Sequence, residues 1–201
     1  MPGAGLPDDG PTAAEVMRWR KAERERLLAA RLALGAKTRH DHAAAIGHGL
    51  DAALGNLDGL TISLYWPIRA EPDLRFWMTS VVARGGRCAL PVVVERQAPL
   101  IFRLYRPGDP LERGLWNIPV PAPGTQVLPD IIIAPVVGFD RACYRLGYGG
   151  GYFDRTLAAL PRRPRVIGVG YACAELATIY PQPHDIGMTE IITERQRYPE
   201  R

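Results

Sequence analysis

Gly147, Gly149, Gly150 and Gly151 fall within five residues, with Arg141 and Arg145 before them and Asp154 and Arg155 after them. Glycine has no Cβ atom, so such a run lets the backbone take left-handed angles and approach a ligand closely, with its N–H groups turned toward an anion. Arginine is the side chain whose planar fork best matches a pair of phosphate oxygens. Glycines alone are also what a tight structural turn requires; with the arginines they describe a cradle for a nucleotide or another phosphorylated ligand. Asp154 adds a second indication. An acid in the first turn of a helix is favourable in itself, but beside bound phosphates it repels them unless a cation intervenes. Magnesium, which binds through one or two carboxylates plus phosphate oxygens, is implied. Two common phosphate loops are excluded. No Gly-Lys-Ser/Thr ends the run, and the third glycine of a dinucleotide fingerprint would fall at position 152, which is Tyr.

The elements that must position these residues follow from the flanking sequence. Ile131 to Ala134, bounded by Pro129 and Pro135, has the length and β-branched content of a strand buried on both faces. Tyr152 to Leu160 reads as a helix, which puts the glycines at a helix N-terminus, where unpaired N–H groups and the positive dipole end favour phosphate. Upstream, Thr12 and Glu15 form a capping box for a helix reaching Leu34. Leu27, Leu28, Leu34 and the alanines supply its packing face. Arg18, Arg20, Lys21, Arg24, Arg26 and Arg31 load the rest, for the most part a solvated face on which Glu23 and Glu25 pair locally. A second helix is expected from Asp41 to Leu54 and a third around Leu74, Trp77, Met78, Val81 and Val82, with Glu71 and Asp73 placed to cap it. Strands are expected over Thr61–Trp66, Cys88–Val94, Leu100–Tyr105, Arg165–Gly170 and Glu190–Thr193, and residues 106–129, rich in proline and glycine, as an irregular excursion. Trp116 within it is either a stacking wall for a flat ring or a plug over the sheet. Alternating strands and helices predict a three-layer α/β/α domain with a mostly parallel central sheet and the ligand at the carboxyl ends of the strands. Residues 1–11, with three glycines and three prolines, read as a mobile tail, and 12–201 as a single domain.

RLGYGGGYFDR, from Arg145 to Arg155, preceded by Gly138-Phe139-Asp140, resembles the signature of the 5-formyltetrahydrofolate cyclo-ligase family, also called methenyltetrahydrofolate synthetase, and weaker similarity extends along most of the chain. The resemblance implies ATP-dependent cyclisation of 5-formyltetrahydrofolate to 5,10-methenyltetrahydrofolate, with ATP and a reduced folate as partners and Mg2+ as cofactor. It implies that Arg145, Gly147, Tyr148, Gly149, Gly150, Gly151, Tyr152 and Asp154 hold ATP and that Arg145 and Asp154 serve the chemistry, Asp154 through the metal. Arg20, Lys21 and Arg24 would reach the phosphates from the first helix, while Glu71, Trp116 and Tyr152 would contact the folate. Pro183-His184-Asp185 matches a turn of the family. The chain departs from the family pattern at Arg20, where a lysine is usual, at Asn117-Ile118, where an acidic residue and proline are usual, at Cys143 in place of glycine, and at Thr189, beside Glu190, in place of a metal-holding aspartate. These departures leave two alternatives: a paralogue that binds nucleotide or folate without turnover, or an ATP-dependent enzyme acting on another formyl or carboxyl compound.

Composition sets the remaining bounds. At 201 residues, 47% hydrophobic and 23% charged, the chain is ordinary for a soluble domain. The net charge of +4 comes without basic runs interleaved with aromatics, which favours small anionic ligands over nucleic acid. Cys88, Cys143 and Cys173 are scattered, without the spacing of a zinc site or a disulfide framework. No leader or bilayer-spanning run is visible, so the expectation is a cytoplasmic protein, monomeric or weakly dimeric, with no membrane partner.

Overall fold

In a computed structural model the described residues are 10–199; the N-terminal tail expected over residues 1–11 lies for the most part outside them. Helix α1 spans Ala13–Leu32 and opens with the expected capping box: Thr12 Oγ1 accepts from the Glu15 N–H, and Glu15 Oε2 accepts from the Thr12 N–H at 2.8 Å. Helix α2, Ala36–Leu54, starts five residues before Asp41, because nothing between Gly35 and Asp41 breaks a helix and Lys37 Nζ pairs with Asp41 across one turn at 2.6 Å. Next come β1 (Thr61–Ser63), α3 (Arg75–Ala83), β2 (Arg87–Val92), β3 (Ile101–Leu104), β4 (Leu111–Arg113), β5 (Pro119–Pro121), β6 (Ile131–Pro135), β7 (Gly138–Asp140), β8 (Arg145–Leu146), α4 (Tyr152–Ala159), β9 (Arg165–Val169), β10 (Glu175–Leu176), β11 (Glu190–Ile192) and β12 (Arg197–Tyr198).

Among the described residues a seven-stranded sheet runs in the order β12-β11-β9-β6-β1-β2-β3. The five inner strands are parallel, and β12 and β3 are antiparallel edges. Reading the parallel strands in chain order gives a 2-1-3-4-5 arrangement, so the chain reverses its winding between β1 and β6. Adjacent connections then leave to opposite faces, and a crevice opens beyond the carboxyl ends of those two strands.

The period-two alternation of buried strands divides the core. Ile131 and Ile133 of β6 join Ile62, Ile167 and Val169 beneath α2 and α3, whose Leu50, Trp77 and Met78 cover that face. Ile132 and Ala134 point the other way, into a cluster with Leu27 of α1, Leu157 of α4, Phe139 and Leu146. The mostly parallel sheet between two covering layers is as expected. The second layer differs in part, since a small sheet, β10-β7-β8, packs there beside the helices. The excursion over 106–129 carries the antiparallel hairpin β4–β5, hidden in the sequence because prolines at 119 and 121 are tolerated only on such an outlying ribbon.

Asp140 fixes the approach to the glycine loop. It is buried, and its Oδ1 accepts from the N–H groups of Ala142 and Tyr144 at 3.1 Å each, while Oδ2 accepts from Ile179 N–H at 3.1 Å. Cys143, standing where the resembled family carries glycine, itself takes the left-handed conformation at φ 64°, and its N–H is bonded to the Asp140 carbonyl at 3.0 Å. The side chain is accommodated there at an expense of roughly 1 kcal/mol in backbone strain. Asp140→Ala, which strands the buried Ile179 N–H and two part-buried ones, is expected to lower stability by about 1–3 kcal/mol; Asp140→Asn, which keeps one acceptor, should lower it by less in the same denaturant titration.

Candidate active site

The crevice at the β1/β6 switch point is lined by Arg20 and Arg24 from α1, Tyr65, Trp66 and Glu71 after β1, Pro91 of β2, Pro135 of β6, and the segment Arg145–Asp154. Most of the residues selected from the sequence therefore meet in one cleft. Lys21 does not line it and is exposed on α1. Trp116 is exposed at its margin, on the hairpin turn, with its ring edge-on to Tyr152 at 5.5 Å between centroids. Tyr152 is gripped from two further sides: its hydroxyl accepts from Gln97 N–H at 3.2 Å, and the Arg155 guanidinium lies 5.1 Å over its ring.

The glycine loop is held by its carbonyls. Arg24 Nε donates to Gly147 O at 2.7 Å, and Arg155 Nη2 donates to Gly150 O. The N–H groups of Tyr148, Gly149, Gly150 and Gly151 have no acceptor among the described residues. Donors without acceptors at the start of a helix form an anion site. Gly149 and Gly151 have φ of 96° and 66°, and a Cβ at 151 would lie 3.0 Å from Arg155 Nη1. Gly147 differs: its φ is not in the left-handed region, and a Cβ there would meet nothing within 4 Å. The protein alone does not require glycine at 147, whereas a ligand seated on the loop would.

Beneath the loop, buried Arg145 pairs with Asp154 Oδ1 at 3.0 Å, donates to Ile186 O at 3.0 Å, and lies 5.6 Å over the Phe153 ring. Burial pulls the Arg145 pKa down from the usual arginine value, and the Asp154 charge opposes that pull. Asp154 Oδ1 also accepts from Ile186 N–H at 2.9 Å, while Oδ2 has no hydrogen-bond partner among the described residues. No group of three or more His, Cys, Asp or Glu is gathered for a metal among those residues. One open carboxylate oxygen fits magnesium that arrives with phosphate oxygens and water as its other ligands, rather than an all-protein cage.

Arg20 is nearly buried and fully engaged: Nε donates to Ile179 O at 3.0 Å, Nη2 to Tyr180 O at 2.9 Å, and the guanidinium pairs with Asp185. A lysine could not span these acceptors. For Asp185, burial alone would raise the carboxyl, but the Arg20 pair and the Gln182 N–H outweigh it and lower the pKa. His184 beside it also lines the cleft. Of the three α1 cations expected near phosphate, Arg24 alone both lines the cleft and lacks a carboxylate partner among the described residues.

Glu71 forms the opposite wall. It is buried, its Oε2 accepts from Ile68 N–H at 2.9 Å, and its Oε1 accepts from the Tyr148 hydroxyl at 2.9 Å. Burial raises its pKa; the Ile68 N–H, Arg31 and Tyr148 oppose the rise. Asp73, by contrast, pairs with Arg75 and accepts its N–H at 3.1 Å, the helix-start role expected of it. Arg31 is the residue the sequence reading underrated. With Arg20 and Leu27 it belongs to the buried side of α1, and its Nη2 donates to the Tyr148 hydroxyl at 2.5 Å. The spacing 20-24-27-31 places these residues on one helix face, a signal masked by the assumption that arginines face water. Arg26, paired with Glu23 at 2.6 Å, does behave as such a surface residue. Thr189 does not line the cleft; its hydroxyl accepts from Val166 N–H, at the beginning of β9 rather than its end. Glu190 is buried between Arg165 and Arg197, so it does not replace the missing aspartate.

A profile of the 5-formyltetrahydrofolate cyclo-ligase family matches residues 16–194. The 5-formyltetrahydrofolate cyclo-ligase of Mycolicibacterium smegmatis is 32% identical over 148 residues, covering 70% of this chain and 76% of that protein. Its Escherichia coli counterpart is 29% identical over 140 residues, with 66% and 77% covered. The solved 5,10-methenyltetrahydrofolate synthetase of Aquifex aeolicus superposes with a TM-score of 0.78 at 26% identity over 89% of this chain and 91% of that one. The Mycoplasma pneumoniae synthetase gives 0.71 at 26% identity over 87% and 98%.

Glu71→Gln separates site from scaffold. A glutamine can still accept the Ile68 N–H through Oε1, but its Nε2 meets the Tyr148 hydroxyl donor to donor, so that O–H loses the acceptor Glu71 gave it. Because the folded-state pKa is raised, ionisation of Glu71 opposes folding as pH climbs above the ordinary glutamate range. The stability of the variant relative to wild type should therefore be greatest at neutral pH and fall on acidification toward that range, as thermal scans across pH would read.

Proposed function

This chain belongs to the 5-formyltetrahydrofolate cyclo-ligase family, and we propose that the β1/β6 cleft is where it cyclises 5-formyltetrahydrofolate to 5,10-methenyltetrahydrofolate with ATP. The observation that carries the assignment is the facing of two walls. On one side are four unpaired N–H groups with Arg24, Arg145 and Asp154; on the other is a buried glutamate tied to the same loop through Tyr148.

The formyl oxygen attacks the γ-phosphorus, forming an O–P bond as the bond to ADP breaks. N10 of the folate then attacks the activated formyl carbon, loses its proton, and the C–O bond breaks as phosphate leaves. An amide oxygen is a poor leaving group until phosphorylated, so the protein's task is positioning and charge neutralisation. The N–H groups of Tyr148 to Gly151 receive phosphate oxygens, and Arg24, already anchored to Gly147 O, adds its remaining N–H donors. Arg145 sets Asp154 and neutralises one of its oxygens. Asp154 Oδ2 would hold magnesium, which supplies charge neutralisation to the transferring phosphoryl group. Glu71 orients the folate, and Trp116 and Tyr152 offer ring faces at the mouth of the cleft. Arg20 acts at one remove by fixing the Ile179–Asp185 turn, and Lys21 at most through long-range charge. Of the departures, Asn117, Cys143 and Thr189 fall outside the cleft lining, while Ile118 and Arg20 belong to it, and the binding-only paralogue is not favoured. No helix among the described residues is long and apolar enough to cross a membrane, and Cys88, Cys143 and Cys173 are free thiols.

Purified protein with 5-formyltetrahydrofolate, magnesium and ATP should show the near-ultraviolet absorbance rise of the methenyl product, and none without ATP; absence of the rise sinks the assignment. Gly147→Ala should keep stability within about 0.5 kcal/mol while raising KM for ATP by about tenfold or more, because only a bound phosphate would meet the new methyl group. Unchanged ATP kinetics would remove the loop from the nucleotide site. Asp154→Asn is a less clean probe: its Oδ1 can still accept from Arg145 and the Ile186 N–H, but the charge that offsets buried Arg145 is lost, so turnover should vanish together with about 1–3 kcal/mol of stability.

A further inference from the structure

Arg69 and Ala70 are adjacent non-glycine residues in the left-handed region, with φ of 46° and 59°. Each costs roughly 1–2 kcal/mol relative to an ordinary backbone, and such strain persists only where the surroundings over-determine it. This pair turns the chain back on itself between Ile68 and Glu71, whose backbone groups close the turn through Glu71 N–H to Ile68 O at 2.9 Å. Both carbonyls of the strained pair are held from behind. Arg31 Nε donates to Arg69 O at 2.9 Å, and the Tyr171 hydroxyl donates to Ala70 O at 3.0 Å. Arg31 comes from α1 and Tyr171 from the segment that leaves β9, so two separate elements hold one turn. Both residues are buried, at 4% and 2% exposure, and neither lines the cleft.

We propose that Arg31 and Tyr171 are positioning residues for the folate wall: by clamping the carbonyls of Arg69 and Ala70 they hold the turn that presents Glu71. This rests on the reading above, in which Glu71 orients the folate. The two clamps differ in reach. The Tyr171 hydroxyl bonds the turn alone, while its ring packs beside His42 at 5.6 Å between centroids. Arg31 also donates through Nη2 to the Tyr148 hydroxyl, which in turn donates to Glu71 Oε1, and Tyr148 belongs to the phosphate loop. Loss of the Tyr171 hydroxyl should therefore disturb the folate side only, whereas shortening the Arg31 fork should disturb both sides.

The test is steady-state kinetics with each substrate varied in turn, accompanied by thermal unfolding, on Tyr171→Phe, Arg31→Lys, Glu71→Gln and the double variant Tyr171→Phe/Ala70→Gly. Tyr171→Phe is expected to raise KM for 5-formyltetrahydrofolate by about fivefold or more and to leave KM for ATP within about twofold. Arg31→Lys should raise both. Glycine at 70 adopts the left-handed angles without strain, so the double variant should return the folate KM to within about twofold of wild type; a merely packing role for Tyr171 would not be rescued this way. The proposal is overturned if Glu71→Gln raises the folate KM and Tyr171→Phe does not, if Tyr171→Phe raises both KM values together, or if Ala70→Gly restores nothing. Should Glu71→Gln itself leave the folate KM unchanged, the role of Glu71 fails first and the positioning proposal falls with it.

Discussion

Arginines donating to backbone carbonyls, three of them buried and Arg24 half-buried, hold this cleft in shape. Beyond the carboxyl ends of the parallel strands the chain runs in loops, and no ladder there satisfies the carbonyl groups. Arg20 takes those of Ile179 and Tyr180, Arg24 that of Gly147, Arg31 that of Arg69, and Arg145 that of Ile186. Each side chain leaves a rigid element and fastens a flexible one, and its planar fork fixes direction as well as distance. Two of the charges are offset by carboxylates, Arg20 by Asp185 and Arg145 by Asp154. Arg24 is not, which leaves positive potential where a triphosphate would lie.

The same arrangement explains why the two walls are not independent. Tyr148 sits in the glycine loop, yet its hydroxyl lies between Arg31 and Glu71. Burial raises the Tyr148 pKa, with the Glu71 charge acting in the same direction, so the phenol keeps its proton and remains a donor to the carboxylate. Asp154 similarly gives one oxygen to the scaffold and, on the proposed reading, the other to the phosphate site. Groups shared in this way make substitution effects non-additive, since removing one member strands the next.

The departures from the family pattern acquire physical content once placed. Cys143 takes left-handed angles that glycine would take more easily, because Asp140 ties the neighbouring N–H groups. Thr189 satisfies the first residues of β9, and Asn117 shares with Trp116 a strained turn at the hairpin tip, with φ of 61° and 56°. Arg20 and Ile118 are departures that lie within the cleft, and Arg20 uses the whole guanidinium where a lysine would offer a single ammonium.

The sequence by itself determined the layers and the place of the glycine loop at a helix start, because both rest on local rules. The capping box at Thr12 and Glu15, the buried run Ile131–Ala134 and the glycine cluster before Tyr152 each depend on neighbours a few residues away, and each formed as read. Tertiary structure alone decided the strand order, and with it the position of the crevice, because parallel strands record their own burial but not which strand lies beside them. It also decided the use of each arginine. Arg20, Lys21, Arg24, Arg26 and Arg31 look alike along α1, yet one is exposed, one pairs with Glu23 and three reach carbonyls more than thirty residues away. A charged side chain's role is set by the acceptors that folding brings to it, and those lie on loops whose paths have no period to read.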